Sequence, residues 1–325
     1  MRKLLCVLLV LILLGGGSAS AVNRTPKPIQ TIPYDEISPT LEGQHHYLLL
    51  CVDDWNRHAG NLGDTDGIVI VTLDTRAHRV MLTSIIRDAL VERPDHNNPE
   101  KTGIGRINYV AKRLGPETLC RVISQHLDIK VEKYIIFDFN EIAKIVDYLG
   151  GVDIELTPDE ISYLQRYAVP PGSVRSKKNG SDLRSSGIHR AGVYHFTGHS
   201  AVIYMRIRKA GGGGDFKRTQ RVRTVLSTLA DKCREISWED AEALVNQIMN
   251  NNTMTNANLE CMLEAARYAY DLRGCTVEEL RIPPEGAATS ITYASMAVQE
   301  IDWEACRQAM AHYLQNSFLV IDEDE

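Results

Sequence analysis

Continuous apolar runs alternate along the chain with segments of helical spacing. Residues 47–52 are apolar throughout and end in Asp53-Asp54, which predicts a central strand covered on both faces. Residues 67–73 and 79–86 predict two further strands, joined by a turn over 74–78, and the second runs into Arg87-Asp88. Simple hairpin pairing sets Leu73 opposite Arg79 and Asp66 opposite Ile86. Asp53, Asp66 and Arg87 then gather at one edge of the sheet. After Arg106-Ile107-Asn108 a helical pattern runs through Leu114 and another from Pro116 to about Leu127, then come a strand at 133–139, an amphipathic helix at 141–149 stopped by Gly150-Gly151, and a strand at 152–156. Further helices are expected at 239–249, 259–272 and 303–314, with a brief extended piece at 280–283. This order predicts an α/β fold, an α-β-α sandwich around a central mixed sheet that starts as an antiparallel meander.

Residues 203–223 concentrate the chain's charge chemistry. Strand alternation over 201–208 puts Arg206 and Arg208 on one face, and Gly211 to Gly214 then breaks the run. From Asp215, a natural N-cap, helical spacing sets Val222, Val225, Leu226 and Leu229 on one stripe, with Arg218 and Arg221 beside the start. Four arginines converging on a helix N-terminus suit a phosphate or diphosphate. The plainer alternative is a loop, a cap and a solvated face. Asp53 and Asp66 beside Arg87 form a second constellation, able to hold a hard divalent cation such as Mg²⁺, although aspartates also simply end strands.

Composition narrows the choices. The chain has 325 residues, is 44% hydrophobic and 24% charged, and carries a net charge of −6, which argues against a general nucleic-acid binder. Between Arg166 and Arg223, however, many lysines and arginines face only Asp182 and Asp215, an anion-attracting stretch inside an acidic protein. Arg2-Lys3, an apolar run over 4–14 and Ala19-Ser20-Ala21 spell an export signal. Uncut, residues 4–22 are long enough for a membrane anchor, and either form puts the body outside the cytoplasm. Proline-rich residues 23–44 read as an extended linker, 45–320 as one catalytic domain and 321–325 as an acidic tail.

Residues 163–190 are polar, basic and rich in Gly and Ser, and predict a long mobile loop. His189, His195 and His199 show no metal-ligand spacing and read as surface or packing residues. Cys51 and Cys120 read as buried free thiols, while Cys261 and Cys275 are the pair to test for a disulfide.

Taken in order, the strand into Asp53, Thr65-Asp66, Ser84-Ile85-Ile86-Arg87-Asp88, Arg106-Ile107-Asn108, Leu149-Gly150-Gly151-Val152-Asp153 and Tyr204-Met205-Arg206-Ile207-Arg208-Lys209, followed by Asp215, Arg218 and Arg221, form a pattern that resembles the LytR-CpsA-Psr family of exported bacterial cell-wall enzymes. The resemblance implies a transferase that takes a glycopolymer from a polyprenyl-diphosphate carrier at the outer face of the membrane and joins it to a peptidoglycan hydroxyl through a phosphodiester. It implies Mg²⁺ held by Asp53 and Asp66. It further implies a diphosphate clamp of Arg87, Arg206, Arg208, Lys209, Arg218 and Arg221, oriented by Asp215, and an apolar tunnel for the prenyl tail. Asp53, Asp66, Arg87 and Asp215 are the expected catalytic set. Diphosphate hydrolysis and non-catalytic binding of a polyprenyl phosphate are the alternatives. The chain departs from the family pattern at Cys51-Val52-Asp53 with Trp55, and at Val222, where the family usually has Gln.

Overall fold

The computed structural model describes residues 22–52, 62–98, 100–166, 169–211, 214–233, 235–250 and 253–315. Strand β1 (Val22–Asn23) opens a segment that runs along the body to β2 (Gln44–Val52), with Ile29 and Leu41 packed against the main core. Strands β3 (Thr65–Asp74) and β4 (Arg79–Ile85) complete the expected antiparallel meander. The expected register is corrected by one residue, because Asp74 pairs with Arg79 and Leu73 with Val80. Asp74 holds this turn by accepting from the Ala77 N–H at 2.8 Å and from the Gln44 amide at 2.8 Å. A one-residue shift exchanges faces along a strand. Continued to the strand ends, it brings Asp66 into line with Arg87 rather than Ile86.

The hairpin β5 (Leu90–Pro94) and β6 (Thr102–Arg106) precedes helices α1 (Val110–Leu114) and α2 (Pro116–Leu127), the latter started by Pro116 in its first turn. Strand β7 (Lys133–Phe137) then joins β2 in parallel. Helix α3 (Phe139–Tyr148) begins with a complete capping box between Asp138 and Glu141 and ends before Gly150 and Gly151, both at positive φ.

Two expectations fail next. The stretch read as a mobile loop contains the end of α4 (Pro158–Arg166) and strand β9 (Val174–Ser176), and it is flanked by β8 (Val152–Leu156) and β10 (Gly192–Phe196). The three strands form a separate antiparallel sheet ordered β8-β10-β9, with Val174 and Leu183 fully buried beneath it. The Asp182 carboxylate accepts from the N–H groups of Gly172 and Arg184, ordering the polar turns that looked mobile. The strand expected over 201–208 is instead helix α5 (Gly198–Met205) followed by an irregular loop. Ala201, Val202, Tyr204 and Met205 are all buried, so a short apolar run fitted both periods. A Cβ on Gly198 would lie 1.9 Å from the Ala143 carbonyl oxygen, so α5 docks on α3 at a point where only glycine fits.

Helices α6 (Gly214–Cys233) and α7 (Trp238–Asn250), strand β11 (Met254–Thr255) and helix α8 (Leu259–Asp271) follow. Strand β12 (Thr276–Ile282) pairs in parallel with β4, a full sheet member where only a brief extended piece was expected. The hairpin β13 (Ala288–Tyr293) and β14 (Met296–Ile301) and helix α9 (Trp303–Gln315) complete the described chain.

The central sheet is mixed and six-stranded, in the order β11-β7-β2-β3-β4-β12. Alternation along β2 sends Leu48 and Leu50 into one core with Val110, Leu119, Val122, Cys306 and Met310, while Leu49 and Cys51 face residues of α3, α6, α7 and α8 on the other side. The sandwich of helices on both faces is therefore as expected. Cys51 and Cys120 are buried thiols outside any disulfide, as expected, and burial pushes Cys120 up to about 12. Cys261 and Cys275, the pair to test for a disulfide, are not bonded to each other in the structure. Among the described residues no helix is long and apolar enough to cross a membrane. Apart from Val22, the apolar segment 4–22 lies outside them, as does the acidic tail 321–325.

Candidate active site

Where β3 begins, the carboxylate of Asp66 collects three guanidinium groups. Its Oδ1 accepts from Arg87 at 2.5 Å, and its Oδ2 accepts from Arg218 at 2.9 Å and from Arg208 at 3.3 Å. The corrected register explains Arg87, which leaves β4 level with Asp66. Arg218 comes from the first turns of α6 and Arg208 from the loop after α5. Burial grades the trio, since Arg218 is 2% exposed, Arg87 15% and Arg208 46%. Three cations on one carboxylate leave a net positive field in a partly desolvated place, where charge acts more strongly than in water.

Arg106-Ile107-Asn108 supports this cluster from behind. Arg106 donates to Asp88 at 2.8 Å, Asp88 lies 3.7 Å from the Arg87 guanidinium, and the Asn108 N–H donates to the Arg87 carbonyl at 3.3 Å. The motif is a brace for Arg87, a role that its sequence did not disclose.

The remaining expected residues are distributed differently. Arg221 is buried and donates to Glu160 Oε1 at 2.8 Å and to the carbonyls of Ile207 and Ala210 at 2.8 and 3.1 Å. It therefore shapes the loop that carries Arg208 and does not reach Asp66. Glu160 is held in turn by the N–H and hydroxyl of Thr157 at the start of α4. Arg206 lies 4.6 Å over the Phe139 ring, and helix α5 replaces the alternation that put it on one face with Arg208. Lys209 is exposed beside Arg208. Asp215 falls in the first turn of α6, and Asp53 lies outside the described residues, directly after Val52, whose ladder partner is Thr65. Arg223, named only as part of the basic stretch, donates to Ser84 at 2.5 Å and Glu279 at 2.9 Å and ties α6 to β4 and β12. Among the histidines, His195 bonds Asp153 at 2.7 Å on the small sheet.

For a hard cation, this edge offers oxygen donors. The buried Thr65 Oγ1 and Asn108 Oδ1 have no hydrogen-bond partner among the described residues, and Asp66 stands beside Thr65. Both Asp66 oxygens already accept from arginines, and among the described residues no three acidic, His or Cys groups cluster for a metal. Oxygen donors of this kind are those that Mg²⁺ takes.

Directly beside the cluster lies an apolar cavity of 230 Å³, walled by Cys51, Gly67, Val69, Phe137, Met205, Val222, Val225 and Met262 among others. Gly67 follows Asp66, and Val222 follows Arg218 by four residues. A Cβ on Gly67 would lie 2.9 Å from the Cys51 Cβ and 3.8 Å from Val222 Cγ1, so the wall is closed there without a side chain.

Fold and site together define an α/β protein in which fixed cations adjoin an apolar cavity. The chain belongs to the LytR_cpsA_psr family, which it matches over residues 17–311. It is 26% identical over 178 residues to the polyisoprenyl-teichoic acid–peptidoglycan teichoic acid transferase TagV of Bacillus subtilis, covering 55% of this chain and 41% of that one. To the transferase TagU of Halalkalibacterium halodurans, which carries the same name, it is 22% identical over 265 residues, covering 82% and 78%. Among solved structures, the LytR-CPS2A-psr family protein YwtF (TagT) with bound octaprenyl pyrophosphate lipid shares the fold, with a TM-score of 0.59, 19% identity and coverage of 93% and 100%.

Proposed function

We propose that this chain is an exported phosphotransferase that moves a glycopolymer from a polyprenyl-diphosphate carrier to a peptidoglycan hydroxyl at the outer face of the membrane. One observation carries the reading: the cation cluster and the apolar cavity adjoin through Asp66-Gly67 on β3 and through Arg218 and Val222 on α6. That arrangement matches a ligand with an anionic head and a hydrocarbon tail. The transferase names of the relatives and the octaprenyl pyrophosphate in the TagT structure support the same reading.

In the proposed reaction the acceptor oxygen bonds to the phosphorus that carries the glycopolymer, and the bond from that phosphorus to the bridging oxygen breaks. Polyprenyl monophosphate departs with the electron pair. Arg218 and Arg87 hold diphosphate oxygens, and Arg208, at the exposed rim, takes charge on the transferred phosphoryl. Lys209 adds a cation beside it. Asp66 keeps the guanidinium groups in place before the ligand arrives and so limits their mutual repulsion. Where it does not hold a metal, Asp53 is the candidate acceptor of the hydroxyl proton, and Asp215 orients the start of α6. Mg²⁺, held by Asp53 and Asp66 with Thr65 and Asn108 as further oxygen donors, would supply charge neutralisation on the diphosphate. Arg221 and Arg206 are positioning residues of the loop and of α5.

Mass spectrometry of lipid extracted from the purified protein tests the proposal. A polyprenyl phosphate or diphosphate is expected. Its absence, together with no uptake of added polyprenyl diphosphate, would overturn the reading.

A further inference from the structure

A second cleft begins one residue beyond Arg208. It has a volume of 530 Å³ and lies between α4, which contributes Asp159, Ser162, Tyr163 and Arg166, and the loop Lys209, Ala210 and Gly211. Its loop wall is fixed, because buried Arg221 binds the carbonyls of Ile207 and Ala210 and is itself paired to Glu160 of α4. At Gly211, with φ +69, a Cβ would meet the Lys217 ammonium at 3.0 Å and an Asp159 carboxylate oxygen at 3.4 Å. A cation and an acceptor thus flank bare backbone. Arg166, Lys209 and Lys217 outweigh Asp159 there, so the cleft favours an anion. Asp159 and the Ser162 hydroxyl can bond ligand hydroxyls, and the Tyr163 ring offers an apolar face. Cations, hydroxyl-binding groups and a ring together suit a sugar or polyol phosphate better than a bare phosphate.

We infer that this cleft is a subsite for an anionic polyol-phosphate or sugar-phosphate unit of the glycopolymer, next to the unit joined to the diphosphate. The inference rests on the transferase reading for the source of that unit, while the chemistry of the cleft stands on its own residues. Lys217 and Arg218 are consecutive on α6, and side chains of neighbouring helical residues diverge by about 100°. One helix turn therefore serves both places, with Arg218 at Asp66 and Lys217 at Gly211. In this arrangement the tail lies at Val222, the diphosphate at Asp66 and the polymer along α4.

The test uses lipid-free oligo(glycerol phosphate) and, separately, detergent-solubilised polyprenyl diphosphate, each titrated calorimetrically into the full chain and into the double variant Tyr163→Ala, Arg166→Ala. Both substituted residues lie on α4, and neither is one of the arginines that contact Asp66. The expected result is oligomer binding that weakens with added salt and drops about tenfold or more in the double variant, with diphosphate-lipid binding unchanged in both proteins. Retained diphosphate-lipid binding also shows that the variant is folded. Oligomer binding that is absent from the parent protein, or equal in parent and variant, overturns the subsite. Loss of oligomer binding in the variant, with no diphosphate-lipid bound by either protein, supports the cleft and overturns the transferase reading instead.

Discussion

Arg218 and Val222 stand one turn apart on α6, the first donating to Asp66 and the second lining the apolar cavity. Their i, i+4 spacing puts head-group and tail contacts on one helix face, so the two functions can be separated by substitution. Arg218→Ala removes a preorganised donor and is expected to lower glycopolymer transfer by about a hundredfold to a thousandfold. Val222→Phe leaves the cluster and fills part of the cavity, so it is expected to reduce uptake of a polyprenyl analogue while inorganic pyrophosphate still binds. Measuring transfer, analogue uptake and pyrophosphate affinity on both variants checks the division. Equal loss of all three in Val222→Phe would contradict it.

Asp66→Asn keeps the shape of the side chain and removes the negative charge that Arg87, Arg208 and Arg218 share. Without it the positive field of the three arginines is less compensated. Transfer is expected to be lost, yet affinity for pyrophosphate measured without Mg²⁺ should rise severalfold, up to about tenfold. An affinity that stays level or falls would show that Asp66 does not compete with the anion for these arginines.

Much of the scaffold was readable because it is local. Apolar runs marked β2, β3 and β4, and helical spacing marked α2 and α3. Arg87, Arg208 and Arg218 were named from motif order, and all three meet at Asp66. What escaped depends on contacts distant in sequence. Arg221 shares the face of Arg218, but Glu160, brought in by α4, captures it. Residues 201–208 carry apolar positions that fit both a strand and a helix, and only the close approach of Gly198 to Ala143 decides between them. The hairpin shifted because Asp74 joined the ladder and closed the turn itself. Thr65 and Asn108 stood in the recognised motifs, yet that their buried oxygens lack a partner among the described residues becomes visible only once burial is known.

Arg221→Ala strands the Glu160 carboxylate, whose side chain is 9% exposed, and frees the carbonyls of Ile207 and Ala210. Breaking one partner of a buried ion pair typically costs about 3–5 kcal/mol. Denaturant unfolding of Arg221→Ala should show a loss of this size, and adding Glu160→Gln should restore part of it by removing the stranded charge. Because the loop carries Arg208, transfer should fall even where the protein is fully folded. A variant as stable as the parent would contradict the assignment of Arg221 to the loop.

Two buried histidines set the acid limit of the fold. His126 is neutral by its bonding: the Val122 carbonyl accepts from Nδ1 at 2.7 Å, and Nε2 accepts from the Glu92 N–H at 3.1 Å. Burial, opposed by the Val122 hydrogen bond and reinforced by Arg307, lowers it to about 4. Burial, reinforced by His45, likewise lowers His46 to about 4. Both folded values lie below the ordinary 6.5, so between pH 6.5 and pH 4 the unfolded chain binds protons that the folded chain does not. Stability is complete above the ordinary value, declines as pH falls through this window and levels off below it. Each histidine accounts for about 3 kcal/mol across it. Urea unfolding at a series of pH values should show the decline, and His126→Gln, which retains a donor and an acceptor, should flatten it. A slope unchanged in that variant would place the acid sensitivity in other groups.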